Sequence, residues 1–258
     1  MKQQWQLVQT AIMYYTRIPV PVSIPYSSEM LNKATRYLPL IGWITGGSMV
    51  AVLYLFSSIA PMAVSLLLAI ITSVWMTGAF HEDGFADMCD GFGGGWTKEK
   101  ILEIMKDSRI GTYGMIGLLL IMLLKFLCLR ELPLYKAMLA IISAQPLSRF
   151  TAVTVIFTHK YVRENEDSKA KPLAKGISRT DLLIAGLLGC LPFGAAIIFL
   201  QNYTLLVTIP ALLLARWYLV RLMQKWIGGY TGDCLGAVQQ VSETVIYLSF
   251  CILTWKYT

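Results

Sequence analysis

Long apolar stretches separated by polar segments dominate the chain. No charged side chain occurs between Tyr37 and Phe80. Pro61 divides this stretch into two parts, each long enough to cross a hydrocarbon layer of about 30 Å. The pattern along the whole chain predicts about seven transmembrane helices. Their predicted positions are near residues 38–58, 62–80, 111–129, 137–157, 182–200, 203–222 and 235–255.

Composition supports a membrane protein. The chain has 258 residues, of which 56% are hydrophobic and only 14% charged, and its mean hydropathy is +0.58. A soluble domain usually carries about 25% charged residues. No internal repeat or linker interrupts the pattern, so we predict one integral membrane domain over residues 1–258. The predicted fold class is an all-α, polytopic helical bundle with a cytosol-facing active site.

The charge pattern of the connections predicts the topology. Polar segments at 1–36, 81–110, 159–181 and 223–233 alternate with short connections that carry few charges. Lys and Arg concentrate in the third of these segments, and the positive-inside rule therefore places these segments in the cytosol. Seven spans then leave the carboxyl terminus outside. The first residues lack the apolar core and cleavage site of a signal peptide, and could instead form an amphipathic helix at the interface.

Net charge and cysteine content narrow the range of functions. The formal net charge of +7 is explained by loops that face anionic lipid, so membrane lipid is an expected partner and nucleic acid is not. The five cysteines are odd in number and lack paired spacing, which argues against a disulfide framework or a thiolate metal site. They are expected to be small apolar residues.

A cluster of acids stands at the start of the second polar segment, in "HEDGFADMCDGFGGGW" at residues 81–96. Asp83, Asp87 and Asp90 are spaced four and then three apart, so on a helix they share one stripe. Like charges at this spacing repel, and a bound cation would reverse that effect. Carboxylate oxygens suit Mg²⁺. The pattern favours a Mg²⁺ site, and its rival is a solvated surface helix.

A second polar motif, "MKDSRIGTYG", follows at residues 105–114. Asp107 has Lys106 and Arg109 as neighbours, so an acid that can hold a metal stands beside two cations that can hold phosphate oxygens. This combination is typical of phosphoryl transfer. A local ion pair is the alternative interpretation.

A third polar motif, "GGYTGDCLGAVQQVSE", occurs late in the chain at residues 228–243. Thr231, Asp233 and Glu243 supply hydroxyl and carboxylate groups from the side predicted to hold the other two motifs. Three motifs on one predicted side indicate one site. Arg149 lies inside the fourth apolar stretch, where a charge indicates a polar environment.

These motifs together resemble one family. The blocks "HEDGFADMCDGFGG" and "ILEIMKDSRIGTYG" are similar to the signature of the cobalamin 5'-phosphate synthase family, also called adenosylcobinamide-GDP ribazoletransferases. The segments "YYTRIPVP" (14–21), "RYLPLIGWITG" (36–46) and "GGYTGDCLGA" (228–237) resemble the other blocks of that family and occur in its order. Glu82 stands where many relatives carry an apolar residue, and "MCD" replaces a small, polar pair before the last Asp.

The resemblance implies a Mg²⁺-dependent enzyme of the last steps of vitamin B12 synthesis in a bacterial or archaeal cytoplasmic membrane. Its substrates would be adenosylcobinamide-GDP and alpha-ribazole or alpha-ribazole 5'-phosphate. Its products would be GMP and adenosylcobalamin or adenosylcobalamin 5'-phosphate. A homo-oligomer and a complex of late-pathway enzymes are both compatible with this interpretation.

The resemblance also suggests roles for individual residues. The expected catalytic residues are Asp83, Asp87 and Asp107. The expected metal ligands are Asp83, Asp87, Asp90 and Asp107. The residues expected to bind substrate are Arg17, Lys106, Arg109, Thr231, Asp233 and Glu243.

Two other functions compete with this one. A CDP-alcohol phosphotransferase that forms phospholipids shares part of the "DGFAD" pattern, but Asp87 stands where its arginine would be. A cation transporter would place acids in the middle of spans, whereas most acids here lie at predicted loop edges. Only Glu243 is predicted to lie deep.

Overall fold

A computed structural model describes residues 2–20, 27–163 and 176–254, and this part of the chain is helical throughout apart from short connections and one isolated β-bridge. The predicted all-α class is confirmed. The helices are α1 Lys2–Tyr15, α2 Ser28–Ala34, α3 Leu38–Ser57, α4 Met62–Thr77, α5 Phe80–Gly94, α6 Lys98–Ile104, α7 Thr112–Arg130, α8 Leu134–Thr158, α9 Arg179–Leu200, α10 Thr208–Ile227 and α11 Gly232–Thr254. Short 3₁₀ turns at Thr35–Tyr37 and Tyr203–Val207 precede α3 and α10.

The predicted membrane spans are confirmed in number. Within the described residues, six helical segments are long and apolar enough to cross a membrane, and the count reaches seven if the bent pair α4 and α5 forms one span. Several helices extend past the predicted limits. The span expected at 137–157, for example, covers 134–158. Helical hydrogen bonding continues into polar residues that hydropathy alone leaves out.

The second predicted span differs from the expectation in shape. Helix α4 ends at Thr77, and the chain bends by 87° before α5 begins at Phe80. Gly78 and Ala79 both adopt left-handed backbone conformations, with φ of 65° and 59°. Glycine takes this conformation readily, whereas alanine does so at a cost. The turn sets α5 nearly perpendicular to α4 and places it against α11 and α7.

Helices α3, α8 and α11 form the centre of the bundle, and α8 is the most buried of the candidate spans. Small residues allow the central helices to approach closely. A Cβ atom on Gly42 of α3 would lie 2.5 Å from the backbone oxygen of Gln145 on α8. Apolar side chains such as Ile141, Leu53 and Phe250 fill the remaining space. This rigid centre carries the polar elements at one end.

The polar segments predicted to share one side do meet at one end of the bundle. The N–H of Tyr230 donates to the carbonyl of Lys160 at 3.0 Å, and the N–H of Val162 donates to the carbonyl of Tyr230 at 3.0 Å. Arg36 pairs with Asp181 at 3.0 Å across two further segments. These contacts join residues distant in sequence and hold the polar segments together at this end.

Candidate active site

Helices α5 and α11 cross very closely at the polar end. A Cβ atom on Gly84 of α5 would lie 2.9 Å from the Cα atom of Asp233, and one on Gly236 of α11 would lie 2.9 Å from the carbonyl oxygen of His81. Only glycine fits both positions without a shift of the backbone. The crossing therefore places Asp233 beside the acidic stripe of α5.

Asp87 interacts electrostatically with charged groups from several segments. Its carboxylate is half-buried and is exposed to the electrostatic field of Asp83, Asp90 and Asp233, and of one cation, Arg163. The helical conformation of residues 80–94 confirms that the three aspartates of α5 follow one stripe. The structure thus brings together acids from the first and third sequence motifs.

Asp90 has a defined structural role at the start of α7. Its carboxylate accepts backbone N–H groups from Gly111 at 2.7 Å and from Gly114 at 2.8 Å. A Cβ atom at either glycine would collide with this carboxylate. Asp90 therefore acts as the cap that α7 lacks in its own sequence, and a negative charge suits a helix N-terminus. The "GTYG" pattern is explained by this contact.

Asp107 and Arg109 form a local ion pair on an exposed loop. The Nη2 atom of Arg109 lies 2.6 Å from Oδ2 of Asp107, and the backbone N–H of Arg109 donates to the same carboxylate at 3.0 Å. These hydrogen bonds lower the pKa of Asp107 to about 2. Arg109 remains mostly exposed, as does Lys106, so both can reach a ligand in solution.

The second motif borders an open cavity of about 490 Å³. Asp90 and Gly94 line it from α5, while Asp107, Arg109 and Thr112 line it from the loop and the start of α7. The cap at Asp90 fixes this loop against α5. The first two sequence motifs therefore share one opening at the polar end.

Arg163 is a site residue that the sequence analysis missed. Its Nη2 atom lies 3.1 Å from Oδ2 of Asp233, and the side chains of the pair are 17% and 21% exposed. Thr231 donates a hydrogen bond to the same carboxylate oxygen at 3.3 Å. The sequence pattern made Arg163 one of many cations in a basic segment. Only the pairing of residues 160–162 with Tyr230 places it over Asp233.

Arg17 occupies the corner between α4 and α5. Its backbone N–H donates to the carbonyl of Met76 at 2.8 Å, and its side chain lies against Gly78. The surrounding groove is otherwise apolar, with Trp75 and Met122 among its lining residues. Arg17 therefore supports the turn that positions α5, and its predicted role in substrate binding remains a prediction.

Glu243 lies away from the acidic surface, the name used here for Asp83, Asp87 and Asp233 at the crossing of α5 and α11. It is buried on α11, ten residues beyond Asp233, a distance of about 15 Å along a helix. Lys125 pairs with it at 3.3 Å. Gln145 and Gln239 donate hydrogen bonds to its two oxygens at 2.8 and 2.7 Å. The depth predicted for Glu243 is confirmed, but the structure does not bring it to the polar end.

The buried polar network around Glu243 extends to two further charges. Gln240 donates to Glu82 at 3.0 Å and accepts from Lys125. Arg149 donates to the backbone and side-chain oxygens of Gln145 at 2.8 and 2.7 Å. The polar environment inferred for Arg149 is confirmed. Lys125 was missed, although a lone lysine within an apolar stretch is itself a signal.

The carboxylates at the polar end offer oxygen donors to a metal ion. Within the described part of the chain, no group of three or more His, Cys, Asp and Glu side chains is arranged to hold one. Mg²⁺ commonly uses one or two protein carboxylates together with substrate phosphates and water. Asp83 and Asp87 can supply such ligands on adjacent turns of α5. The donor set fits Mg²⁺, and the Mg²⁺ site remains a prediction.

Fold and site define a polytopic helical membrane protein with acids and cations from several segments gathered at one end. The family model described as cobalamin-5-phosphate synthase matches residues 7–251. The chain therefore belongs to the cobalamin-5-phosphate synthase family, as the motifs predicted.

Relatives of similar length support this assignment. A protein of Shewanella amazonensis is 44% identical over 259 residues, covering 98% of this chain and 97% of the relative. A protein of Shewanella putrefaciens is 45% identical over 252 residues, covering 96% and 94%. Both are named adenosylcobinamide-GDP ribazoletransferase. This chain is accordingly a transferase of cobalamin synthesis. No solved structure matches it.

Proposed function

We propose that the protein transfers the adenosylcobinamide phosphate group of adenosylcobinamide-GDP to alpha-ribazole or alpha-ribazole 5'-phosphate and releases GMP. The names of the relatives support this reaction. One observation assigns the reaction to this site: carboxylates and cations gather at the α5–α11 crossing and around the adjoining cavity of 490 Å³. A pyrophosphate needs both kinds of group around it.

The reaction exchanges a phosphoanhydride bond for a phosphoester bond. An O–P bond forms between a ribose hydroxyl and the cobinamide-linked phosphorus, the O–P bond to GMP breaks, and the hydroxyl loses its proton. Asp87 is our candidate for the group that accepts this proton, because the negative charges of neighbouring carboxylates favour a proton there. Asp107 is less suited, since a carboxylate whose pKa is about 2 is a weak base.

The cations have separate tasks in this proposal. Arg109 and Lys106 lie on the exposed loop beside the cavity, where they can hold phosphate oxygens of the leaving GMP or of the ribazole phosphate. Asp83 would hold Mg²⁺ together with the pyrophosphate. Bound Mg²⁺ would neutralise negative charge on the phosphates as the bond to GMP breaks.

The proposed location is the cytoplasmic membrane of a prokaryote, with the polar end facing the cytosol. Cationic residues at this end, such as Lys106, Arg109 and Arg163, support that orientation by the positive-inside rule. Both substrates carry polar nucleotide groups and would reach the site from the aqueous side. The open form of the cavity at Asp107 is consistent with such access.

The test measures GMP release by the purified full-length protein in lipid vesicles. The reaction contains adenosylcobinamide-GDP, alpha-ribazole 5'-phosphate and Mg²⁺. We expect release to require both substrates and to stop when the metal is chelated. Asp87→Asn should lower the rate by more than about 100-fold, a typical loss for removal of a catalytic group. Glu99→Gln, at an exposed position of α6, is the matched control and should keep full activity.

Two results would contradict the proposal. If the wild-type protein releases no GMP from these substrates, the assigned reaction fails, and ion flux through the same vesicles should be measured. If the wild-type protein releases GMP and the Asp87→Asn variant does so at the same rate, the proposed reaction is correct and the assignment of Asp87 is wrong. Thermal unfolding of each variant shows whether a loss of rate reflects a loss of fold.

A further inference from the structure

A long apolar groove opens between α8, α9 and α10, far from the acidic site in sequence. It encloses about 310 Å³. Helix α10 packs chiefly against α11 and touches α8 only slightly, which leaves the groove between them. Side chains such as Leu147, Phe150, Phe193, Ile209 and Leu213 line it.

Small residues of α9 give the groove its depth. Gly194 and Cys190 both line it, one helical turn apart. A Cβ atom on Gly194 would meet no other atom within 4 Å. The side chain of Cys190 is exposed at the same position. The wall therefore has room for an additional apolar group that the protein itself does not supply.

One cation stands at the polar end of the groove. Arg216 of α10 lines the groove. Its Nε atom donates to the hydroxyl of Thr154 at 2.7 Å, and its Nη2 atom donates to the hydroxyl of Thr158 at 2.5 Å. Both partners are neutral. Among the described residues, no carboxylate lies within ion-pair distance of Arg216, so this part of the chain does not neutralise its positive charge.

The surroundings of Arg216 are typical of a membrane interface. Trp217 and Tyr218 next to it are largely exposed. The guanidinium of Arg221, further along α10, lies 5.5 Å from the ring centre of Trp217. Aromatic and cationic side chains are enriched where acyl chains meet lipid headgroups. The neighbours of Arg216 are those expected at headgroup depth, and the apolar groove extends from it along α10.

From these observations we infer a binding site for one anionic phospholipid. An acyl chain would occupy the groove beside Gly194, and the lipid phosphate would pair with Arg216. The shape of the groove accounts for the chain, and the unneutralised charge accounts for the preference for an anionic headgroup. The site is separate from the acidic surface and does not depend on the proposed reaction.

Lipid retention provides the first test, using native mass spectrometry of the full-length protein purified in mild detergent with phosphatidylglycerol. We expect one retained lipid in the wild type. Gly194→Leu should fill the groove and reduce retention at least tenfold. Gly47→Leu is the matched control, because a side chain at this glycine of α3 also meets nothing within 4 Å. Equal retention by the wild type and Gly194→Leu would overturn the proposal.

Labelling of Cys190 by a maleimide, read by peptide mass spectrometry, provides the second test. Phosphatidylglycerol should slow labelling at least fivefold, while phosphatidylcholine and inorganic phosphate should have little effect. Arg216→Gln should remove the difference between the two lipids, and Arg221→Gln should keep it. Equal protection by both lipids, or protection by phosphate alone, would contradict an anionic lipid site. Protection of Cys190 before any lipid is added would instead indicate a second protein copy over the groove.

Discussion

The acidic surface and the buried network differ in how their charged side chains are neutralised. Inside the bundle, Glu243 and Lys125 satisfy each other and the surrounding glutamines. At the polar end, Asp83 and Asp87 face like charges, and the pair of Arg109 with Asp107 is largely exposed to solvent. Burial accounts for the difference, since an unpaired charge in an apolar interior is very costly. Charges that are paired inside hold the helices together, whereas charges left at the surface are available to a ligand.

The strongest test of this comparison removes one partner of the buried pair. Lys125→Met leaves Glu243 buried without its cation, and we expect the free energy of unfolding to fall by about 3–5 kcal/mol. Thermal unfolding in detergent measures the change. The double variant Lys125→Met with Glu243→Gln should recover most of the loss, because neither charge remains. No recovery would mean that these charges do not act as a pair.

Gly84→Ala should have the next largest effect. The new methyl group would collide with the backbone of Asp233, and overpacking of this kind costs about 1–3 kcal/mol. We also expect a fall in GMP release, since the collision moves Asp233 away from Asp87. Gly47→Ala is the control: its methyl group meets nothing, and alanine favours the helix. Equal effects of both substitutions would show that the close crossing is unimportant.

Asp90→Ala should lower stability by about 0.5–2 kcal/mol, the usual cost of a lost helix cap. The expected local result is faster hydrogen exchange of the amides of Gly111 and Gly114, which donate to this carboxylate. Asp90→Asn keeps one acceptor oxygen and should have a smaller effect. Unchanged exchange in Asp90→Ala would refute the capping role.

Loss of the ion pair between Asp107 and Arg109 should have the smallest effect on stability. This effect should be measurable only at acidic pH. The folded-state pKa of Asp107 is lowered from 3.8 to about 2. Its contribution to stability is therefore present above pH 3.8 and is lost as the pH falls toward 2. Carbon NMR of the carboxylate should show this titration, and Arg109→Gln should move it upward. Activity between pH 6 and 9 should show no step from Asp107. A titration near pH 4 in the wild type would contradict the pair.

Much of the fold follows from apolar run lengths, which reflect the thickness of a membrane. The bend after α4 could not be predicted in this way. Residues 62–80 read as one span because the run is apolar to its end, and the turn depends on the backbone of Gly78 and Ala79. Hydropathy does not report backbone conformation. The helical stripe of Asp83 and Asp87 followed from spacing, because helix periodicity is a local property.

Contacts between distant segments account for the parts of the site that sequence reasoning missed. Nothing in the basic segment distinguished Arg163 from its neighbours, since its role depends on backbone pairing with Tyr230. The stripe on α5 predicts Asp90 as a metal ligand, and this stays a prediction; its contact with the start of α7 depends on distant residues and could not be predicted from the stripe. Glu243 was assigned to the same side as Asp233, but ten residues of helix separate them. The chemical type of each side chain could be predicted from the sequence, whereas its neighbours in the folded protein could not.

The right-angled turn at Gly78 and Ala79 also bears on the order in which the protein can be completed. A helix that leaves α4 at 87° cannot take its direction from α4, and α5 packs chiefly against α11 and α7. Both of these neighbours follow α5 along the chain, and α11 is the last of the described helices. The acidic surface therefore cannot form while the earlier helices emerge from the ribosome. It is finished only when α11 docks against α5, so a nascent chain that has not yet made α11 lacks the site.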